Sequence, residues 1–90
     1  MFLIMYDIED DKIRTRFSKF LSQYGIRLQY SVFKIENSSR ILENIKIKIK
    51  EKYEPLFSQS DSVLIYQIPD KSCIAKFGYP VNEETDLVMI

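Results

Sequence analysis

Apolar and polar positions divide the chain into short segments of two different periods. Phe2-Leu3-Ile4-Met5-Tyr6 is an unbroken apolar run that ends on one carboxylate, Asp7. Residues 2–8 are predicted as a first strand, apolar almost throughout and therefore central in its sheet. Glu9, Asp10 and Asp11 follow, where a helix start needs caps and favours negative charge. Ile13, Phe17, Phe20, Leu21 and Tyr24 then recur at helical spacing, which predicts a helix from about Asp11 to Gln23. Gly25 is expected to end it as a residue in the left-handed conformation.

Residues 26–36 read as extended chain. Ile26, Leu28, Tyr30 and Val32 alternate with polar residues, and Phe33 and Ile35 then continue on the opposite parity. The slip at Val32-Phe33 implies a bulge or a strand-to-strand break there, giving two antiparallel strands or one bent one. Asn37-Ser38-Ser39 is a helix-start cluster. The run Ile45-Lys46-Ile47-Lys48-Ile49-Lys50 alternates like a strand, but Ile41, Leu42, Ile45, Ile49 and Tyr53 keep helical spacing and only Ile47 leaves the stripe. The length from Arg40 to Glu54 favours a helix, which Pro55 ends. A further strand is predicted over Val63–Ile68, a short one over Ile74–Phe77, and a last apolar one over Leu87–Ile90.

Strand, helix, strand, strand, helix, strand is the order of a ferredoxin-like βαββαβ fold, class α+β, with an additional C-terminal strand. The chain of 90 residues is expected to form one domain over 1–90. At that length a fold buries only about 60–65% of the surface its unfolded chain exposes. Both helices lie on one sheet face in this arrangement, and a second copy of the chain would cover the other. The apolar terminus would be a hazard as a free edge, so residues 74–90 are expected to cross to the partner of a homodimer.

Composition narrows the chemistry. The chain has no histidine, which excludes a Ser-His-Asp triad, a Cys-His pair and a histidine metal site. A single cysteine, Cys73, excludes an internal disulfide and a multi-cysteine metal site within one chain. Two glycines exclude a P-loop or dinucleotide fingerprint. The N-terminal apolar run is too short to span a bilayer and no basic region precedes it, so no membrane association and a cytoplasmic location are expected. Net charge is zero but unevenly spread. Eleven Lys and Arg stand between Lys12 and Lys52 against three acids, whereas from Pro55 onward two lysines face five acids. A basic first half suits a chain with one polyanion-facing side, although lysines on helices also simply solvate a surface.

Carboxylates, hydroxyls, cations and a hard metal remain. Asp7 alone cannot hold Mg²⁺, but a two-fold axis past the end of the first strand would bring two copies together. Mg²⁺ or Mn²⁺ shared between them would turn a water on a phosphodiester. The plainer reading, in which Asp7 caps a turn, stays open. Arg14, Arg16 and Arg27 suit phosphate as planar forks, or form a solvated flank. Tyr6 falls on the opposite sheet face from Asp7 and reads as core, Ser31 offers a hydroxyl to a phosphate oxygen, and Phe33 reads as dimer or core packing.

Tyr6-Asp7-Ile8, Asp11-Lys12-Ile13-Arg14, Tyr24-Gly25, Arg27-Leu28-Gln29-Tyr30-Ser31-Val32-Phe33 and Asp61-Ser62-Val63, in this order, resemble the small subunit of the CRISPR spacer-acquisition machinery. The resemblance spans the chain and is carried above all by the Gln-Tyr-Ser-Val-Phe word after a Tyr-Gly helix stop. It implies a ferredoxin-like homodimer, a divalent metal at paired copies of Asp7, and functional positions at Tyr6, Asp7, Arg14, Arg16, Arg27 and Phe33. Two roles go with that family: metal-dependent endonuclease on single-stranded RNA or duplex DNA, and scaffold bridging integrase subunits across a duplex. In the scaffold role the aspartate is dispensable. A free-standing toxin-like endoribonuclease of the same fold is the alternative.

Overall fold

A computed structural model of the protein describes residues 1–36 and 38–69, together with Ala75, Phe77 and Gly78. The first strand, β1 (Phe2–Asp7), has an antiparallel neighbour on each side. On one side β3 (Val32–Ile35) sets Phe33 opposite Ile4; on the other β4 (Ser62–Gln67) sets Ile65 opposite the same residue. With β2 (Ile26–Gln29) beyond β3, the sheet runs β2-β3-β1-β4. The central placing of β1 follows from its unbroken apolar run.

Alternation divides β1 between two faces. Phe2, Ile4 and Tyr6 are buried among Phe33, Ile35 and the apolar stripes of two helices, α1 (Asp11–Ser22) and α2 (Ser39–Lys48). Phe17, wholly buried, anchors this core: the rings of Tyr6, Tyr53 and Phe57 meet it edge-on with centroids 5.0, 5.2 and 6.3 Å away. Leu3, Met5 and Asp7 project from the helix-free face, in register with Tyr66, Leu64 and Ser62 of β4. Leu64 and Tyr66 are about half exposed there, at 53% and 48%. These elements make an α+β, ferredoxin-like βαββαβ fold.

Several local expectations are corrected. Gly25 is not left-handed; among the described residues Gly78 alone has positive φ. Gly25 is required instead by close approach, because a β-carbon there would lie 2.0 Å from the Lys34 carbonyl oxygen and 2.6 Å from Ile35 Cδ1. The strand break lies at Tyr30-Ser31, earlier than the expected slip at Val32-Phe33, and the register shift falls between Arg27 and Gln29. Lys34, on the helix-free face, is 2% exposed, with its ammonium 3.3 Å from Glu36.

The second helix is not α-helical to its end. After Lys48 the chain makes a π-helical turn over Ile49–Tyr53, with the Glu54 N–H bonded to the Ile49 carbonyl, and then a 3₁₀ turn over Glu54–Leu56 that contains Pro55. The reason is visible in the sequence. Residues 41, 45, 49 and 53 repeat every four positions, and on an α-helix each such step overshoots by about 40°. A wider turn takes back the drift and returns Ile49 and Tyr53 to the core, while Ile47 stays 52% exposed. The strands expected over 74–77 and 87–90, and the crossing tail, lie outside the described residues apart from Ala75 and Phe77, neither of which is in a strand.

Candidate functional site

Asp7 and Tyr6 are consecutive and face opposite ways. Asp7 ends β1 as an exposed carboxylate opposite Ser62 on the helix-free face. Tyr6 is buried beneath α1, stacked on Phe33 at 6.3 Å and 26°. Its hydroxyl donates to the Tyr30 carbonyl at 3.1 Å and its backbone N–H to the Ser31 carbonyl at 3.0 Å. Tyr6 therefore fastens the β2–β3 turn beside Asp7. Burial pushes its phenol above the usual tyrosine value, with the charges of Arg27 and then Arg14 pulling the other way. The group stays neutral through the physiological range and works as a donor.

The loop from Asp7 to α1 is held from three sides. Asp10 caps α1, accepting from the N–H groups of Lys12 at 2.9 Å and Ile13 at 3.0 Å. Arg14 reaches back along the helix, donates to the Ile8 carbonyl at 3.0 Å and the Glu9 carbonyl at 3.3 Å, and pairs with Asp11. Asp61, just before β4, accepts the N–H of Glu9 at 2.9 Å and that of Ser58 at 2.9 Å. These two backbone donors hold its carboxyl below the usual aspartate range. Ser60 completes the link, donating to the Glu9 carboxylate at 3.1 Å. The part played by Asp61 was missed in the sequence; the signal was an Asp closing a Ser-Gln-Ser stretch, where Asx turns form.

The three arginines are not equivalent. Arg14 is occupied with carbonyls of the loop, as above. Arg27 lies over the Phe33 ring with its guanidinium carbon 5.3 Å from the centroid. Arg16 is exposed, and neither a hydrogen bond nor an ion pair ties its guanidinium among the described residues. Ser31 stands half-buried in the turn, and Phe33 is 1% exposed and belongs to the core. Tyr6, Asp7, Arg14, Arg27, Ser31 and Phe33 thus gather around the end of β1, on both faces, while Arg16 stands farther along α1.

A hard divalent cation needs several oxygen donors. No group of three or more possible ligands occurs among the described residues of one chain. Glu9 and Asp61 are engaged in bracing the loop. Asp7 is free to ligate but is one carboxylate, so the donor set fits a divalent ion only if a second copy brings a second Asp7. No helix among the described residues is long and apolar enough to cross a membrane.

Fold and site together define a small ferredoxin-like α+β protein with an acidic strand end and a basic first helix. Residues 1–74 match the family described as CRISPR associated protein Cas2, and the chain belongs to that family. It is 31% identical over 83 residues to the CRISPR-associated endoribonuclease Cas2 1 of Nitrosomonas europaea, covering 92% of this chain and 76% of that one. It is 35% identical over 71 residues to a CRISPR-associated endoribonuclease Cas2 of Thermus thermophilus, covering 78% and 71%. The hypothetical protein TT1823 from Thermus thermophilus superposes with a TM-score of 0.74 at 26% identity, over 92% of this chain and 95% of that one. Streptococcus pyogenes Cas2 shares the fold at a TM-score of 0.70 and 21% identity, over 86% and 98%.

Proposed function

We propose that two copies of this chain associate through their helix-free sheet faces and form a metal-dependent endonuclease that also bridges integrase subunits during spacer acquisition. One observation carries the reading: Asp7 projects from the same face as the exposed Leu64 and Tyr66. Covering that apolar surface with a second copy by a two-fold operation makes the strand ends neighbours. Each Asp7 would then supply one carboxylate to a Mg²⁺ or Mn²⁺ ion. The chemistry such an ion supplies when bound is Lewis-acid polarisation of a phosphodiester and acidification of water.

The chain's own part is positioning. Tyr6 and Asp61 fix the turn and the loop on either side of Asp7, and Arg14 keeps that loop against α1. Arg16 and Arg27 hold nucleic acid by its phosphates, in duplex DNA or single-stranded RNA. The names of the relatives favour endoribonuclease activity. In this reading the tail over 74–90 completes the partner's sheet, and the homodimer works in the cytoplasm.

The test is a paired assay of wild type and Asp7→Ala, purified identically. It follows cleavage of RNA and duplex DNA with Mg²⁺, Mn²⁺ or EDTA, and integration with the cognate integrase. Cleavage that needs metal and disappears with Asp7 supports the nuclease; equal cleavage by both proteins overturns it. Integration that survives the substitution makes the bridging role separable from hydrolysis. Wild type that neither binds nor assists an integrase favours a free-standing ribonuclease.

A further inference from the structure

Tyr30 is 80% exposed, whereas Tyr6 and Tyr53 are buried and Tyr66 is half covered. Among the described residues its ring packs on no other ring or cation, and its hydroxyl has no hydrogen bond. An aromatic side chain contributes to a fold by being buried, and this one is not. The turn does not ask for it either. Tyr30-Ser31 joins β2 to β3 as a two-residue connection, a place usually given to Gly, Asn or Asp.

The ring nevertheless stands on a stiff mount. The Tyr6 hydroxyl donates to the Tyr30 carbonyl at 3.1 Å, and the Tyr6 N–H to the Ser31 carbonyl at 3.0 Å. Tyr6 is itself fixed by Phe17, edge-on at 5.0 Å, and by Phe33, stacked at 6.3 Å. The aromatic core thus anchors the backbone that carries the exposed ring. Its place follows from the ladder of β1 and β3, which runs as far as Met5 opposite Val32. One step on, the bond from Tyr6 to Ser31 continues it, and the next step sets Tyr30 across from Asp7. Residues so placed in a regular ladder have β-carbons about 5 Å apart.

The surroundings tell what the ring is for. Exposed Gln29 and half-buried Ser31 flank it in the chain, and Arg27 lies close by on β2 with its guanidinium over Phe33. The exposed apolar side chains Leu64 and Tyr66 belong to β4, on the other side of β1. A lone π-face among polar and cationic groups does not continue that apolar surface. It matches a nucleobase, which brings a flat π-face of its own and polar edges. A tyrosine ring has few torsions to order when it stacks, and the anchored turn adds none. The group recognised is a base and not a phosphate, so the arginines take no part in it.

We propose that Tyr30 is a specificity-determining residue: its ring stacks on an unpaired base and sets the neighbouring phosphodiester at Asp7. The inference rests on the preceding reading of Asp7 for the bond that is cut, and on Tyr30 alone for the base. A duplex keeps its bases stacked on one another, so a strand is accepted only where a base has come free. Every base has a π-face, and the ring therefore selects an unstacked base and not a sequence.

The chain has no tryptophan, so Tyr30→Trp places a single fluorescent reporter at the position itself. A short oligoadenylate in EDTA should quench it, and an abasic oligonucleotide with the same number of phosphates should not. Binding is then measured with fluorescein-labelled forms of both strands. Wild type and Tyr30→Phe should prefer the base-bearing strand by roughly tenfold, and Tyr30→Ala should bind the two alike. An unquenched reporter overturns the proposal, and so does a base preference that is absent in wild type or survives in Tyr30→Ala. Weaker self-association of Tyr30→Ala in sedimentation velocity, with base preference unchanged, gives the ring to a second copy and overturns it too. Asp7→Ala separates the two readings, because base preference in EDTA does not need the carboxylate. Preference present while Asp7→Ala still cuts removes the nuclease and leaves the stacking. Preference absent while cleavage needs Asp7 removes the stacking and leaves the nuclease.

Discussion

Asp61 accepts the backbone N–H of Glu9 at 2.9 Å, joining the start of β4 to the loop that follows Asp7 across 52 positions of chain. Its other oxygen takes the Ser58 N–H, so the carboxylate is used on both sides. Because the folded pKa lies below the ordinary value of 3.8, the brace contributes stability at all pH above that value. It is lost only as pH falls through the depressed folded pKa. Amide exchange at Glu9 and Ser58 should therefore stay protected from neutral pH down to about that value and rise below it. In Asp61→Ala both amides should exchange rapidly at neutral pH; unchanged protection there would show that the loop is held by Arg14 and Asp10 alone.

Asp7 is exposed, so Asp7→Asn should change the stability of the chain by no more than about 0.5 kcal/mol. The association of two chains should respond more strongly. Two carboxylates brought together repel until a proton or cation stands between them. In EDTA the variant should dimerise more tightly than wild type, and Mg²⁺ should tighten wild type only. Sedimentation velocity with and without metal reads both effects. A metal response that persists in Asp7→Asn would place the ion elsewhere.

Leu64 is half exposed on the helix-free face, in register with Met5. If that face is covered by a second copy, Leu64→Lys buries a charge in place of an apolar side chain whose remaining exposed half is worth about 1 kcal/mol. Dimer dissociation should shift by tenfold or more, and cleavage should fall with it. An unaltered dimer would move the interface off this face.

Two changes should damage the fold itself. Phe17→Ala removes the ring at the centre of the aromatic cluster and should cost about 3–5 kcal/mol. Gly25→Ala sets a methyl group against the Lys34 carbonyl, where the obstacle is backbone and cannot rotate aside, for about 3 kcal/mol. Each kcal/mol should lower the melting temperature by about 4–8 °C in a domain of this size. A melting temperature within a few degrees of wild type for Gly25→Ala would mean that the link between α1 and β2 can move away from β3 freely.

The element order was legible because β1 is apolar without interruption and the helices carry stripes of period near four. What the sequence concealed were contacts between distant residues. Gly25 sits where a helix commonly stops, but its necessity comes from the Lys34 carbonyl on another strand, which local pattern cannot show. The π-helical turn was present as a four-residue repeat through Tyr53, and an α-helical template absorbs that repeat without complaint. At the site, Asp7 and Tyr6 were placed on opposite faces by alternation alone. Arg14 carried the same charge as Arg16, and only coordinates reveal that its guanidinium turns back to the Ile8 and Glu9 carbonyls.

The opposite facing of Tyr6 and Asp7 separates two kinds of mutational risk within a single dipeptide. A change at position 6 disturbs the aromatic core and the hairpin turn at once. A change at position 7 meets solvent and disturbs no packing. Lineages descending from such a chain are free to abandon or alter their chemistry while the architecture persists, so an intact scaffold is no guide to whether the carboxylate is still in use.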